Sequence, residues 1–579
     1  MPQTIARGLT HAWTYRQPPA PDGADLVSRI LAVRGITDGT APAFLEPSLN
    51  HLHDPSLLPG MDAAAERVLS AIAGGERVVI YGDYDVDGIT ATAILYHTLR
   101  AIDPACGVGT YVPHRLEEGY GLNAEALRQL AAEGARLVIS VDCGVTAAGP
   151  ARAAREAGLD LIITDHHNLP EGGEPLPEAC AIVHPRLPGS AYPFGHLSGA
   201  GVAYKLAWRL LSLHAGGGRV HAHHRELLVN LLGFAALGTI ADVVPLVGEN
   251  RVLARFGLGR IKHSPFPGLR ALVEAAGLAG ENIDAEHAGF ALGPRLNAAG
   301  RLGHAREAVE LFTSAPPERH AEIARNLTRL NDQRRATELR IAEQAAEMAA
   351  AAGMTAPDRR AIVLAHEDWH QGVVGIVCSR LVDRFCRPTI LMQRREGRCY
   401  GSGRSVAGFS LHGALTTCAG RLARYGGHDM AAGLELEDAE LGGFAEEFTA
   451  CANAQLAEDD LVPKLTLDAD ARLPELTAGA VGRLECLAPF GMANPRVRVR
   501  ISGARLSSRP MPVGSGGQHV ALTVSQDGRA MRMLGWRWAE RAGGLPAGVD
   551  LDMVISPKLS AWNGVTSVEP EIVDLAVNA

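Results

Sequence analysis

Three aspartates at every second position follow a short apolar run near the start of the chain. The run is residues 78–81, whose β-branched and aromatic side chains are typical of a buried strand, and Asp83, Asp85 and Asp87 come directly after it. Gly88 then opens a helical stretch. Carboxylates gathered at the end of a strand repel one another, and divalent cations relieve this because carboxylate oxygens suit Mg²⁺ and Mn²⁺. The alternative is a solvated acidic turn in which Asp87 is the N-cap of the helix.

The same arrangement recurs along the chain and decides between these interpretations. Apolar runs at residues 136–141, 159–164 and 235–241 end in Asp142, in Asp165-His166-His167 and in Asp242. Capping or turn formation explains one such aspartate, but hardly four independent endings. The pattern therefore predicts a metal site, and the mixture of carboxylates with imidazole favours Mn²⁺ somewhat over Mg²⁺.

The elements between these motifs predict how the acidic groups come together. Helical patterns alternate with nearly continuous apolar strands from residue 77 to residue 164, which indicates a parallel sheet covered on both faces. The carboxyl ends of parallel strands lie along one edge of their sheet. We therefore predict an α/β fold in which the acidic clusters converge at that edge.

Length and composition set the class of protein. A chain of 579 residues suggests roughly three to four domains. Nine cysteines without a CxxC pair argue against a zinc ribbon or a disulfide framework, and the N-terminus lacks the apolar core of a signal peptide, so we expect a cytoplasmic protein. The apolar stretch 227–247 contains Asn230, Thr239 and Asp242, which favours a buried helix running into a strand over a membrane span.

The charge distribution is uneven. A net charge of −9 argues against a wholly basic nucleic-acid coat but allows a local basic groove. Residues 387–428 contain seven arginines and one acid, Glu396. This excess favours an anionic ligand, the alternative being a solvated surface patch. Arg115 lies in a glycine-containing loop at 113–121 that could approach a phosphate.

Several motifs resemble those of a known family. GDYDVDG at 82–88, VDCG at 141–144, DHH at 165–167 and GTIADVVP at 238–245 resemble the four phosphoesterase motifs of the DHH superfamily. Residues 293–301, 401–405 and 426–428 resemble its linker and companion DHHA1 domain, and residues 487–495 resemble the lead-in to an OB-fold. The resemblance covers roughly 500 residues in one order and is greatest to the RecJ family of bacterial single-strand-specific exonucleases.

The resemblance implies a two-cation site for in-line hydrolysis of a phosphodiester, with Mn²⁺ or Mg²⁺ as the cofactor. Asp85 and Asp87 would be metal ligands, with Asp83 close by or also ligating. Asp142 would bridge the two cations, and His166 and Asp242 would ligate. The remaining pair, Asp165 and His167, would support these ligands or contact the substrate.

It also implies a substrate and partners. Arg115, Ser402 and Arg404 would grip a 5′ phosphate, and Arg295, Arg301 and His428 would contact the strand backbone. The implied enzyme is a 5′-to-3′ exonuclease that releases 5′-mononucleotides from single-stranded DNA in repair and recombination, with a helicase and a single-strand-binding protein as partners and no membrane. Two alternatives stay open: a phosphodiesterase for short oligonucleotides or cyclic dinucleotides, and a non-catalytic scaffold that holds single strands.

The predicted domains follow the chain. They are a helical lead-in at 1–76, the DHH catalytic domain at 77–315, a connecting helix at 316–356, a smaller α/β DHHA1 domain at 357–460 and an OB-like β-barrel at 461–579. A helical pattern over 321–352, ended by Gly353 and Pro357, predicts the connecting helix. Short strands at 496–501, 518–524, 531–536, 551–555 and 566–570 predict the barrel, where Trp536, Trp538 and Trp562 are available for base stacking or for the core.

Overall fold

The computed structural model describes residues 4–17, 24–37, 39–115, 117–170, 172, 174–514, 516–562 and 565–578. These residues form two compact units that are both discontinuous in sequence. The first contains residues 42–334 and 488–495, and the second contains the residues up to 41, residues 335–487 and the residues from 496 onward. Among the described helices, none combines the length and the apolar character needed to span a bilayer.

The first part of the chain differs from the predicted helical lead-in. Its elements are β1 (Thr4–Arg7), β2 (Ala12–Tyr15), α1 (Leu26–Val33), α2 (Ala41–Leu45) and α3 (Met61–Ala73). The prediction of helices and turns over 1–76 is therefore wrong for the start of the chain, where β1 and β2 pair with each other. β2 also pairs in parallel with the distant strand Lys464–Leu467, a partner that no local pattern reveals.

The predicted parallel sheet is present. Its region contains β3 (Arg77–Gly82), α4 (Val86–Ile102), β4 (Val108–Tyr111), α5 (Ala124–Ala132), β5 (Ala135–Val141), α6 (Ala148–Glu156), β6 (Asp160–Thr164) and β7 (Ala181–Val183). The strand order is β4-β3-β5-β6-β7, and every pair is parallel. Val78 and Ile80 belong to one hydrophobic core, and Val79 and Tyr81 belong to another, so both faces of the sheet are covered.

A helical layer follows the sheet. Its helices are α7 (Gly199–His214), α8 (Ala222–Ala241), α9 (Gly248–Lys262), α10 (Pro267–Ala275), α11 (Gly293–Leu302), α12 (Arg306–Phe312) and α13 (His320–Ala351). The expected helix over 227–247 is α8, but no strand follows it, and Asp242 is its C-cap. The predicted long helix is α13, and the boundary between the two units falls within it.

The second unit contains a smaller α/β region. Its elements are β8 (Ile362–His366), α14 (Gln371–Phe385), β9 (Thr389–Arg395), β10 (Arg398–Arg404), α15 (Leu411–Thr417), β11 (Arg424–Gly427), β12 (Ala431–Glu437) and α16 (Leu441–Gln455). The strands form one sheet in the order β11-β12-β10-β9-β8, in which only β8 and β9 run parallel.

The arginine excess at 387–428 is largely neutralised in this region. Arg394 pairs with Asp438, Arg398 with Glu435 and Glu437, and Arg421 with Glu440 and Glu447. Arg387 is buried and donates to backbone carbonyls. The arginines of residues 387–428 do not form one anion-binding surface, because acidic side chains that follow this segment in sequence form ion pairs with several of them.

The C-terminal region forms the predicted barrel. Its elements are β13 (Lys464–Leu467), β14 (Ala469–Asp470), α17 (Ala478–Glu485), β15 (Val499–Leu506), β16 (Met511–Val513), β17 (His519–Gln526), β18 (Arg529–Gly535), α18 (Ala539–Ala542), β19 (Asp550–Ser556), β20 (Leu559–Trp562), β21 (Val565–Val568) and β22 (Glu571–Val577). β14-β15-β19-β22-β18-β17-β16 form one sheet, and pairing of β15 with β17 closes it. The strand predicted at 566–570 corresponds to β21, but β21 pairs with β20 outside the barrel sheet, which uses β22 instead.

The tryptophans of this region differ in exposure. Trp538 is buried, and Trp536 is half-exposed and donates to Glu571. The side chain of Trp562 lies outside the described residues.

Candidate metal centre

The loop between β3 and α4 positions the first three aspartates. Asp85 is the N-cap of α4, and its Oδ1 accepts hydrogen bonds from the amides of Asp87 at 2.9 Å and Gly88 at 3.2 Å. Asp87 lies in the first helical turn, and both Asp83 and Asp87 are buried. The alternative of a solvated turn capped by Asp87 is therefore wrong.

The amino end of α7 binds the carboxylate of Asp87. Its Oδ2 accepts from the amide of Gly199 at 2.5 Å, and its Oδ1 accepts from the amide of Ala200 at 2.9 Å. The unpaired amides and the dipole of a helix N-terminus both stabilise an anion there. A β-carbon at Gly199 would lie 2.5 Å from Oδ1 of Asp142, so the close approach requires glycine. This segment was not among the predicted site residues, although Ser198 before a run of small residues is a helix-start signal.

The other predicted ligands meet Asp87 around one imidazole. Nε2 of His166 lies 3.1 Å from Oδ1 of Asp142, 3.5 Å from Oδ2 of Asp242 and 3.7 Å from Oδ2 of Asp87. Asp142 has a φ of 63°, and Val243, next to Asp242, has a φ of 60°. Residues other than glycine rarely adopt this conformation, and such strain concentrates at functional sites. The structure thus brings three strand ends and one helix end together.

The possible ligand atoms form three overlapping groups, within each of which the atoms lie no more than 4.8 Å apart. The groups are Asp142, His166 and His167; Asp87, His166 and Asp242; and Asp83, Asp85 and Asp142. We call these residues the acidic cluster. Of the predicted catalytic residues, only Asp165 lies outside it.

Asp165 instead holds the two histidines in place. Its Oδ1 accepts from the amides of His166 at 2.7 Å and His167 at 3.1 Å and lies 2.8 Å from Nδ1 of His167, and its Oδ2 accepts from the amide of Val145 at 2.8 Å. The hydroxyl of Tyr120, which the sequence analysis missed, lies 3.0 Å from Nδ1 of His167 and donates to the carbonyl of Asp142 at 3.2 Å. Asp165 and Tyr120 therefore fix the positions of His166, His167 and Asp142 within the cluster.

The pKa values of three aspartates in the cluster shift in the opposite direction from that of Asp165, which supports the histidines. Burial, followed by repulsion from neighbouring aspartates, raises the pKa of Asp87 to about 7 and that of Asp242 to about 9, and raises the pKa of Asp142 well above its usual range. Burial alone would raise the pKa of Asp165 too, but the hydrogen bond and charge of His167 outweigh it and lower that pKa to about 2. Burial lowers the pKa of His166 to about 3, so its ring is neutral at physiological pH and can act as a ligand.

The donor set fits divalent cations. Oδ1 of Asp83, Oδ1 of Asp142 and Nε2 of His166 are all buried without a hydrogen-bond partner among the described residues. Buried polar atoms are costly unless a partner satisfies them. Several carboxylate oxygens and one neutral imidazole nitrogen facing a common point are suitable ligands for Mn²⁺ and, less well, for Mg²⁺.

A buried polar triplet fixes the loop that follows Asp242. Glu249, Asn250 and Arg251 open α9, and all three are at least 98 % buried. The side chain of Asn250 donates to the carbonyl of Pro245 at 3.1 Å, three residues beyond Asp242. This triplet was not predicted, because consecutive polar residues in a helix usually indicate a solvated face.

Two predicted substrate residues lie beside the cluster. The guanidinium of Arg115 is 4.7 Å from the centre of the Tyr84 ring. Burial raises the pKa of Tyr84 to about 12, and the charges of Arg115 and Arg301 both oppose this rise. Arg115 also opposes the upward shift that burial and Asp85 impose on the pKa of Asp83. Arg115 therefore lies beside Asp83 and Tyr84, and Arg301 is near enough to Tyr84 for its charge to lower the pKa of that tyrosine.

Two other residues of the 293–301 motif, Arg295 and Asn297, make hydrogen bonds within the fold. Arg295 donates to the carbonyl of Ala291 at 2.6 Å and to Oγ1 of Thr328 at 3.2 Å. Oδ1 of Asn297 accepts from the amide of Val86 at 3.1 Å, which caps the start of α4 beside the aspartates. Asn297 is thus a positioning residue that the sequence analysis did not single out.

The remaining predicted substrate residues lie in the second unit. Ser402 and Arg404 are on β10, against the first turns of α14, where a β-carbon on Gly375 would lie 3.3 Å from Oγ of Ser402 and 3.6 Å from Nη2 of Arg404. His428 is exposed in the turn between β11 and β12. Ser402 and Arg404 are neighbours on β10, and His428 is hydrogen-bonded through its backbone to Ala431, the residue of β12 that pairs with Arg404.

Comparison with known proteins places the chain in a family. The models of the DHH family N-terminal domain, the DHHA1 domain and the RecJ OB domain match residues 77–239, 358–458 and 467–574. The single-stranded-DNA-specific exonuclease RecJ of Bacillus subtilis is 37% identical over 96% of this chain and 68% of its own length. For the RecJ of Dickeya dadantii the identity is 39% over 81% of this chain and 82% of the relative. The chain belongs to the RecJ family.

Solved structures agree with this assignment. The crystal structure of RecJ from Thermus thermophilus in complex with Mn²⁺ matches with a TM-score of 0.77 and 31% identity, over 94% of this chain and 75% of that one. A structure of exonuclease RecJ bound to manganese matches with a TM-score of 0.60 and 36% identity, over 71% and 98%. The RecJ fold predicted from the motifs is thereby confirmed. The DHH match ends at residue 239, three residues before Asp242, so that cluster residue is placed by geometry alone.

Proposed function

We propose that this RecJ-family protein is a metal-dependent exonuclease that degrades single-stranded DNA from the 5′ end and releases 5′-mononucleotides. The observation that carries the proposal is the acidic cluster, in which buried carboxylates and one neutral imidazole face each other with unsatisfied atoms. The names of the relatives, single-stranded-DNA-specific exonucleases, support single-stranded DNA as the substrate.

We assign the metal ligands within the cluster. Asp85, Asp87, Asp142, His166 and Asp242 would hold two divalent cations, Mn²⁺ or Mg²⁺, with Asp83 adjacent. When bound, the cations supply an activated water and neutralise the charge that develops on the phosphate oxygens. The amides of Gly199 and Ala200 fix the Asp87 carboxylate, and Asp165 fixes both histidines. His167, 39% exposed and held by Asp165, is available to contact the phosphate that is cleaved.

The arginines would bind the strand. Arg115 and Arg301, beside the cluster, would contact phosphates there, and guanidinium groups match phosphate oxygens bidentately. Ser402 and Arg404, in the second unit, would bind the 5′ phosphate, and Arg295 in the first unit and His428 in the second would be backbone contacts. Recognition of a terminal phosphate accounts for cleavage from an end.

The cellular setting belongs to the same proposal. An exonuclease of this kind acts in DNA repair and recombination, in the cytoplasm, with a helicase that unwinds duplex and a single-strand-binding protein as partners. We also propose that the functional domains divide at residues 77–315, 316–356, 357–460 and 461–579, in line with the separate family matches.

The test is a degradation assay on a 5′-phosphorylated single strand labelled at its 3′ end, which reports shortening, beside a copy labelled at its 5′ phosphate, which reports the first nucleotides released. We expect progressive shortening, mononucleotide release from the first turnovers, inhibition by EDTA and recovery with Mn²⁺. Asp142→Asn should abolish hydrolysis and leave strand binding intact, whereas Glu281→Gln, an exposed carboxylate outside the cluster, should behave as wild type. Cleavage confined to dinucleotides would favour the phosphodiesterase alternative, and strand binding without metal-dependent cleavage would favour the scaffold.

A further inference from the structure

Four histidines gather where α7 ends and α8 begins. The ring centroid of His224 lies 5.5 Å from that of His214, 5.9 Å from that of His221 and 3.9 Å from that of His223. We call these four residues the histidine cluster. It is remote from the acidic cluster, because α8 separates it from Asp242 by 20 residues, or about 30 Å at 1.5 Å per residue. Neither the nuclease chemistry nor the DHH motifs account for it.

His224 is arranged as a metal ligand would be. Its ring is buried, and Nε2 lies 3.4 Å from the carbonyl oxygen of Ala101. A carbonyl only accepts hydrogen bonds, so Nε2 carries the proton and Nδ1 carries a lone pair. Nδ1 is buried with no hydrogen-bond partner among the described residues. Metal-bound histidines characteristically donate their other ring N–H to a carbonyl or carboxylate, which is the arrangement seen here.

The surrounding backbone favours a cation. Helix α4 ends at Ile102 and α7 ends at His214, and the carbonyl ends of both helices carry partial negative charge. The amino end of α8 carries partial positive charge, but the two carboxyl ends of α4 and α7 outnumber it. The other three rings are exposed, and their nitrogens do not converge within 4.8 Å of one another in the structure. Metal binding at Nδ1 of His224 would therefore require rotation of these exposed side chains.

We propose that the histidine cluster binds a borderline transition-metal cation, with Zn²⁺ as the foremost candidate. Imidazole nitrogens suit Zn²⁺, Cu²⁺ and Ni²⁺, whereas Mg²⁺ and Mn²⁺ prefer oxygen ligands. The cation ties together the ends of α4, α7 and α8. The opposite ends of these helices carry Asp85 and Asp87, the amides that bind Asp87, and Asp242. Binding at the histidine cluster therefore stabilises the helices that build the acidic cluster.

The experiment uses full-length protein that carries Asp142→Asn, so that the acidic cluster competes less for zinc. After chelation, Zn²⁺ is titrated against a chromophoric chelator in excess Mg²⁺. We expect His224→Gln to remove one zinc equivalent and to abolish the zinc-induced rise in melting temperature. We expect His221→Gln to weaken zinc by more than the roughly 10–100-fold that loss of an outer-shell partner costs. His263→Gln, an exposed histidine at the end of α9, should change neither quantity.

Controls separate loss of the site from loss of the fold. Because His224 is buried, its variant is compared with the exposed double variant His221→Gln/His223→Gln, which should retain the metal-free melting temperature while losing the zinc equivalent. X-ray absorption at the zinc edge should report nitrogen ligands. Equal zinc stoichiometry and affinity in all variants, or a zinc coordinated mainly by oxygen, would overturn the proposal.

Discussion

At the scale of single residues, the buried aspartates of the acidic cluster repel one another, and bound cations reduce this repulsion. Burial and mutual repulsion raise the pKa of Asp87 to about 7 and that of Asp242 to about 9, whereas an aspartate in the unfolded chain titrates near 3.8. The folded, metal-free protein therefore binds protons that the unfolded chain has released over this interval. Cations replace those protons, so metal binding contributes to the stability of the fold as well as to chemistry.

This imbalance predicts a pH dependence. Because the native state holds more protons above pH 3.8, the free energy of unfolding of the metal-free protein should fall as pH rises from there towards about 9. Thermal melts in EDTA across this range measure it. Asp242→Asn should flatten the decline, melt higher than wild type near pH 8, and lack nuclease activity. The decrease of stability with pH should be smaller for wild type in Mn²⁺. If wild type and Asp242→Asn showed the same decrease in EDTA, the raised pKa of Asp242 would be contradicted.

Asp165 is predicted to act on metal affinity through the histidines. It accepts hydrogen bonds from the His166 and His167 amides and lies within hydrogen-bond distance of the His167 ring. Asp165→Asn should weaken Mn²⁺ binding by roughly 10–100-fold, as loss of an outer-shell partner does. Electron paramagnetic resonance of free Mn²⁺ measures this affinity, with Glu281→Gln as the control. Unchanged affinity in Asp165→Asn would show that the histidines need no such support.

At the scale of elements, local patterns predicted most of the catalytic sheet. Apolar runs fixed β3, β5 and β6, and the geometry of parallel strands then placed Asp83, Asp142 and His166 together. The amino end of α7 was missed because it meets Asp87 only after more than a hundred residues of intervening chain. Asp242 was expected in the cluster after an apolar run within a helix that leads into a strand, and the structure places it at the end of that helix with no strand following.

Helix α8 approaches Asp87 closely at Gly238. A β-carbon at Gly238 on α8 would lie 2.5 Å from Oδ1 of Asp87 and 2.6 Å from Cβ of Ala200, and it would also collide with Oγ1 of Thr90. Gly238→Ala should lower the free energy of unfolding by about 1–3 kcal/mol and reduce activity, because Asp87 must shift. Urea unfolding and the degradation assay measure the two effects.

The matched control is Gly259→Ala on α9. Gly259 is exposed, and a β-carbon there would meet no atom within 4 Å. The substitution should stabilise the protein by about 0.5–1 kcal/mol, because alanine costs less entropy than glycine in a helix, and should leave activity unchanged. If Gly238→Ala were as harmless as Gly259→Ala, close approach of α8 would not be what positions Asp87.

At the scale of the whole molecule, each unit is completed by distant parts of the chain. In the unit with the parallel sheet, the carbonyl of Met492 accepts from the amide of Leu246 at 2.9 Å. In the other unit, Asp574 on β22 accepts from the indole of Trp13 at 2.8 Å and from the amide of His11 at 2.9 Å. Pairings over such separations in sequence slow folding, since the loops must close before the contacts form.

Trp13 offers a test of this organisation. It is fully buried, so Trp13→Ala should cost about 3–5 kcal/mol of unfolding free energy, as large-to-small core substitutions do. Hydrogen exchange read by mass spectrometry should show lost protection in β13 and β22 and unchanged protection in β3 and β5, which belong to the other unit. Trp536→Ala, at a half-exposed position, should change stability by no more than about 0.5 kcal/mol. If exchange rose equally in β3 and β5 in the Trp13 variant, the two units would unfold as one, and the first strands of the chain would support the acidic cluster as much as the barrel.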